Sequence, residues 1–329
     1  MPEAGRRLWT ARSLGSAFQH RVFYSLIRLG GRRAAYGLLY PVTAWYVLFR
    51  PSVRKRAAPY LRRRFPEHGP AGRLLDCFRL CLALGRVLVD RAVLGILGPD
   101  CLEWRLDGWE ELQALLGEGR GLILLMAHAG SWQVAMGALA RLGAPASVLI
   151  HREEGDVDRH FFEHGKGPAP LSLIDPAGSL GGTPEMLRVL ERGELLGIMG
   201  DRPWGGPRGH LAVTFLGDEI PVPFSPYRLA SATGAPIAVL FPYRSEHGSY
   251  GVRLARVIRV PGELGRGPAA YGPYAEQYIQ ALEAFIRDHP YQFFNFFDMW
   301  SPIHGDKSSP EADPRGRTEA PGPGGPGLR

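Results

Sequence analysis

Two textures divide this chain. Up to about residue 98, apolar positions recur every three or four residues, which is the helical period. Residues 16–64 are expected to be helical, with breaks near Gly30-Gly31 and Pro51. Residues 71–97 read as one long amphipathic helix, stopped by Gly98-Pro99. Beyond residue 100, short unbroken apolar runs alternate with helical patterns. Strands are expected at 121–127, 146–150, 171–174, 195–199, 211–216, 236–242 and 249–257. Helices are expected at 131–142, near 157–164, and at 183–192, 225–233 and 271–289. This alternation predicts an α/β fold, a mixed sheet flanked by helices. The chain thus divides into a helical region, 1–98, an α/β domain, 99–304, and a tail, 305–329. The tail is Pro, Gly and charge, so it is expected to be disordered. No internal repeat is visible.

Charge adds a direction to this picture. Residues 1–66 hold fourteen Arg or Lys against one acid, Glu3; the whole chain carries +7, which leaves −6 on residues 67–329. A basic end on a mildly acidic body implies an anionic partner, either nucleic acid or anionic lipid. Residues 34–49, AAYGLLYPVTAWYVLF, are uncharged and rich in Tyr and Trp. They are short for a span and contain Pro41, so a helix lying in the membrane interface is expected, the alternative being a buried core helix with a basic rim. No reader motif for nucleic acid accompanies the cations, and lipid is favoured over nucleic acid as the partner. No signal peptide is apparent in the first thirty residues.

Candidate chemistry concentrates at one strand end. In MAHAGSWQ, His128 follows a buried strand, precedes a helix, and is surrounded by Ala127, Ala129, Gly130 and Ser131. The carboxyl end of a strand in an open α/β sheet is where ligands bind. Ser131 can cap the following helix, and main-chain N–H groups there can hold an anion or oxyanion. Asp201 ends another strand in GDRPWGGPRG, flanked by Arg202 and Arg208 on a Gly-rich loop suited to phosphate. Cys77, Cys81 and Cys101 form no CxxC pair and read as buried thiols. His160 and His164 lack a third ligand, so no metal is expected. The aromatics of YQFFNFFDMW (Phe293, Phe294, Phe296, Phe297 and Trp300) either line an apolar ligand tunnel or pack the core. No G-x-S-x-G elbow is present, which argues against serine hydrolysis.

Several blocks, in order, resemble the bacterial lipid A biosynthesis acyltransferases of the glycerolipid (lysophospholipid) acyltransferase superfamily. HAGSWQ is similar to their H-F-G-N-W-E motif. RRAAYGLLYPVTAWYVLFRPSVR resembles their N-terminal membrane-proximal helices, GELLGIMGDRPWGGPRGHLAVTFLG their G-D block, and HPYQFFNFFDMW their closing P-x-Q-W segment. The resemblance runs over about residues 15–303. It implies a glycerolipid-acyltransferase-like sheet and His128 as the base that deprotonates an acceptor hydroxyl or amine. It also implies an acyl carrier protein or acyl-CoA donor with no other cofactor, a membrane lipid or glycolipid acceptor, and a place at the cytoplasmic face of the bacterial inner membrane. The family's carboxylate falls at Gln133, which can accept a hydrogen bond from imidazole but supplies no charge. Three readings stay open. Gln133 suffices; another carboxylate, with Asp201 the candidate, orients the ring; or the chain binds acyl lipids without turnover. Arg152 stands where the family's second block begins, and Lys166 falls near its basic residue; both are candidate substrate contacts, with Arg202, Arg208 and Ser131.

Overall fold

A computed structural model describes residues 17–97, 102–131, 142–151, 171–202, 209–265 and 267–301. The expected helices at 131–142 and 157–164 and the tail from 305 lie outside these residues, as do Gln133, Arg152, Lys166, Arg208, His160, His164 and Cys101.

Three helices come first. Helix α1 (Ala17–Phe49) bends at Gly31, whose φ of 66° only glycine adopts freely. It continues through Pro41, which lies on an exposed face. Helix α2 (Pro51–Arg64) begins on a proline that needs no amide partner. Helix α3 (Pro70–Leu97) packs against both. Part of the basic excess serves the helices themselves. Arg54 donates to the Val47 and Leu48 carbonyls at the end of α1, and Arg64 to those of Ile286 and Arg287. A cation there satisfies orphan carbonyls and meets the negative end of the helix dipole.

The sheet has seven strands in the order β1 (Trp104–Asp107), β9 (Tyr250–Ile258), β8 (Ile237–Arg244), β2 (Leu122–Met126), β5 (Leu195–Met199), β3 (Ala146–Leu149) and β4 (Leu171–Ile174). All neighbours are parallel except β8 and β9. Strand β2 lies at the centre and is buried at every residue, as an interior parallel strand must be. Its side chains alternate between two cores. Ile123 and Leu125 face one core with helices α5 (Thr183–Glu191), α6 (Ser225–Thr233) and α7 (Gly272–Asp288); Leu122, Leu124 and Met126 face the other with α4 (Trp109–Gly117). Residues of α2 and α3 join the first core, so the helical layer and the sheet share it.

Among the described residues, two strands and one α-helix add to those expected. β1 is only four residues long and half polar, and α4 follows it directly. β7 (Asp218–Pro223) carries two prolines, which argue against a strand from sequence. It pairs with β6 (His210–Phe215) as a separate hairpin, where an edge tolerates proline. Leu216 and Gly217 turn that hairpin with positive φ at both positions. Among the described residues, no helix is long and apolar enough to cross a membrane.

Candidate active site

Strands β2 and β5 are parallel neighbours in register, Met126 opposite Met199. Two residues further on, each chain leaves the sheet, one at His128 and the other at Asp201. The fold therefore sets side by side two residues 73 apart in sequence. The His128 ring approaches Asp201 through Nδ1, 2.9 Å from Oδ1 and 3.1 Å from Oδ2. The carboxylate is 1 % exposed, whereas the imidazole side chain is 28 % exposed. Asp201 also accepts the main-chain N–H of His128. Burial by itself raises a carboxyl pKa; the imidazole and then Arg202 more than offset it, so Asp201 sits below the ordinary carboxylate range. An ionised acceptor on Nδ1 fixes the tautomer with Nδ1 protonated, and Nε2 points to the opposite side of the ring.

Small residues make this approach possible. A Cβ on Gly200 would lie 2.8 Å from Tyr278 Cζ and 2.9 Å from Leu125 Cδ1. The Gly200 amide meets the Met126 carbonyl at 2.8 Å, and the Tyr278 hydroxyl meets it at 3.1 Å, which locks the two strand ends together. Gly130 has φ of 56°, and a Cβ there would lie 1.9 Å from the Pro242 carbonyl oxygen. A side chain at Gly130 would have to move main chain, and one at Gly200 would have to displace the Tyr278 and Leu125 side chains.

Across the loop lies the closing segment. Ala129 forms a β-bridge with Phe293. Phe294 N–H donates to the His128 carbonyl at 2.8 Å, and Gly130 N–H to the Gln292 carbonyl at 2.9 Å. Ala129 N–H is bonded to Ala127 at 2.7 Å. The amides of His128, Ala129 and Gly130 are thus committed to protein acceptors. Ser131, the next residue, is 1 % exposed.

Arg202 turns inward. It donates to the Phe294 carbonyl at 3.0 Å, lies 5.2 Å from the Phe297 ring centroid, and keeps Nε 3.9 Å from Asp201. Burial pulls its pKa down to about 10, against the pull of Asp201, so it stays cationic at neutral pH. In this position it supports the closing segment and the carboxylate rather than reaching outward for a phosphate. Phe293, Phe294 and Phe297 are buried in the main core, with Phe296 and Trp300 packed against it. A second His–Asp pair occurs on the same sheet edge, His151 Nδ1 with Asp175 Oδ1 at 3.1 Å. Among the described residues no three His, Cys, Asp or Glu side chains gather as a metal site.

The sequence marks His128, Gly130 and Asp201 but not Gly200, Gln292 or Tyr278. Gln292 was within reach, since it occupies the Q of the closing P-x-Q motif. Tyr278 carries no local signal beyond its place on the apolar stripe of α7.

A family model for bacterial lipid A biosynthesis acyltransferases matches residues 10–301, while no curated protein matches the chain in sequence. Because the match embraces the His128 turn, the Asp201 turn and the closing segment alike, the chain belongs to the bacterial lipid A biosynthesis acyltransferase family.

Proposed function

We propose that this acyltransferase moves a fatty acyl chain from an acyl thioester to a hydroxyl or amine of a lipid or glycolipid, with His128 as general base and Asp201 as the carboxylate that orients it. The observation that carries the reading is the His128–Asp201 pair, a partly exposed imidazole on a buried, ionised acid at the carboxyl edge of the central strands. A hydroxyl is a poor nucleophile at neutral pH, and an imidazole base removes that obstacle. His128 Nε2 takes the proton from the acceptor O–H or N–H as that atom attacks the thioester carbonyl carbon. The new C–O or C–N bond forms, the tetrahedral intermediate collapses, and the C–S bond breaks. The proton then passes from the imidazolium to the departing thiolate sulfur. Asp201 stabilises the imidazolium throughout, the role of the acid in a Ser-His-Asp triad. On this reading Asp201 supplies the charge that Gln133 lacks.

Acyl carrier protein and acyl-CoA both fit as donors, because both are anionic and the N-terminal helices expose Arg28, Arg33, Arg50, Lys55, Arg56 and Arg62. We place the protein on the cytoplasmic face of the inner membrane, attached through its N-terminal helical region rather than spanning. Support comes from exposed Tyr40, Trp45, Leu48 and Phe49 on α1 and Leu74 and Leu75 on α3, with Arg50 beside Trp45. Aromatic and aliphatic side chains edged by cations match the interfacial pattern.

The test is transfer of radiolabel from palmitoyl-CoA and from palmitoyl acyl carrier protein to a bacterial total-lipid extract. His128→Ala is expected to lose at least about 10³-fold in kcat. Undiminished transfer by that variant refutes the base assignment. Binding of both thioesters with no transfer by the wild type would favour an acyl-lipid binding protein instead.

A further inference from the structure

We infer that Gln292 is a positioning residue for His128, and that a buried carboxylate on α3, Asp90, acts through Arg244 to hold the strand end that Gln292 grips. The inference rests on His128 being the base. Gln292 bonds in two directions at once. Its side chain spans the end of β8 as a strand would: Nε2 donates to the Arg244 carbonyl at 2.8 Å, and Oε1 accepts the Arg244 N–H at 2.7 Å. Its own main-chain carbonyl accepts Gly130 N–H, and two residues later Phe294 N–H holds the His128 carbonyl. The turn carrying the imidazole is therefore fastened to β8 through one amide side chain. Carboxamides alone offer a donor and an acceptor in this spacing without a charge.

The far end of the relay is unusually deep. Arg244 Nε lies 3.1 Å from Asp90 Oδ2, and Tyr250 donates to the same oxygen at 2.8 Å. Tyr36 of α1 donates to Asp90 Oδ1. Arg32 of α1 approaches Oδ1 at 3.6 Å and donates to the Gly248 carbonyl at 3.0 Å. Asp90 is 0 % exposed. A buried carboxylate left without these partners is expensive, so the four groups tie β8, β9 and α1 firmly to α3. None of them belongs to the His128–Asp201 pair. They fix where β8 ends, and Gln292 transmits that position to the turn.

A local consequence follows. A base displaced by about 1 Å can lose about 10²-fold in rate while substrate binding is kept. The test uses the full-length protein. Gln292→Met keeps the volume and removes both side-chain bonds. Gln292→Glu keeps the acceptor and, when ionised, loses the donor. Asp90→Asn weakens the far end and serves if the first variant fails to fold. Each is assayed with palmitoyl-CoA and a bacterial total-lipid extract, beside the Nδ1–H resonance of His128 in histidine-labelled protein.

Gln292→Met is expected to lower kcat by about 10- to 100-fold with KM for palmitoyl-CoA within about threefold, and to shift or broaden the Nδ1–H signal. Gln292→Glu is expected to fall between that variant and wild type, and Asp90→Asn to move the same resonance. A merely structural role would change thermal stability and leave that resonance and the kcat-to-KM split alone. If His128→Ala is inactive while folded Gln292→Met and Asp90→Asn keep wild-type kcat and an unmoved resonance, the relay is overturned and the base assignment stands. If His128→Ala is active, both fall.

Discussion

Two His–Asp pairs sit on one sheet edge, and they differ where it matters. His128 and Asp201 end the central strands β2 and β5; His151 and Asp175 end the outer strands β3 and β4. The ring-to-oxygen distances are alike, 2.9 and 3.1 Å. The acids are not, for Asp201 is 1 % exposed and Asp175 60 %. Both carboxyls titrate below the ordinary range, for different reasons. Asp175 is held down first by the Ala177 amide, then by His151. Asp201 must overcome its own burial and is held down by the imidazole and Arg202. Water screens an exposed pair and competes for its hydrogen bonds, whereas a buried acid keeps its full field on the ring. Equal contact distances thus conceal unequal capacity to fix a tautomer.

The comparison breaks most sharply under matched substitution. Asp201→Asn is expected to cost about 10²- to 10⁴-fold in kcat, as losing the orienting acid does in hydrolase triads. Asp175→Asn is expected to stay within about twofold. Comparable losses in the two variants would deny the buried acid its special role. Steady-state transfer rates decide this.

Acid stability sharpens it next. A carboxyl whose folded pKa lies below its unfolded value of about 3.9 adds stability that is fully present above that value. The contribution is lost as pH falls through the folded pKa. The gap in thermal midpoint between wild type and Asp201→Asn should therefore shrink below about pH 4. The same comparison for Asp175→Asn should be smaller, because that group is exposed. A gap for Asp201→Asn that is constant from about pH 7 to about pH 3 would contradict an ionised, partnered Asp201.

The smallest effect is expected at Gln133. With Asp201 already on Nδ1, Gln133→Glu should change kcat by less than about threefold. A rise of about tenfold or more would return the orienting role to position 133.

Much of this architecture is legible in the sequence, and the parts that are not share a cause. The bend at Gly31, the buried run of β2 and the turn at Gly130 follow from local conformational preference and periodicity. β1 and β7 do not, because a four-residue half-polar strand and a strand with two prolines gain their identity from a partner strand. The same holds at the site. His128 stands out through its small neighbours, but Asp201 is marked only as a candidate. Which strands lie side by side, β2 against β5 across 73 residues, is a tertiary fact. Gln292 and Asp90 are further removed, since their significance comes wholly from what they bond.

A double-mutant cycle on the pair tests the central claim most directly. Transfer rates are measured for His128→Ala, Asp201→Asn and the two combined. If Asp201 acts through His128, the double variant is no slower than His128→Ala alone. If instead the two losses multiply, Asp201 works independently of the imidazole and the account is wrong.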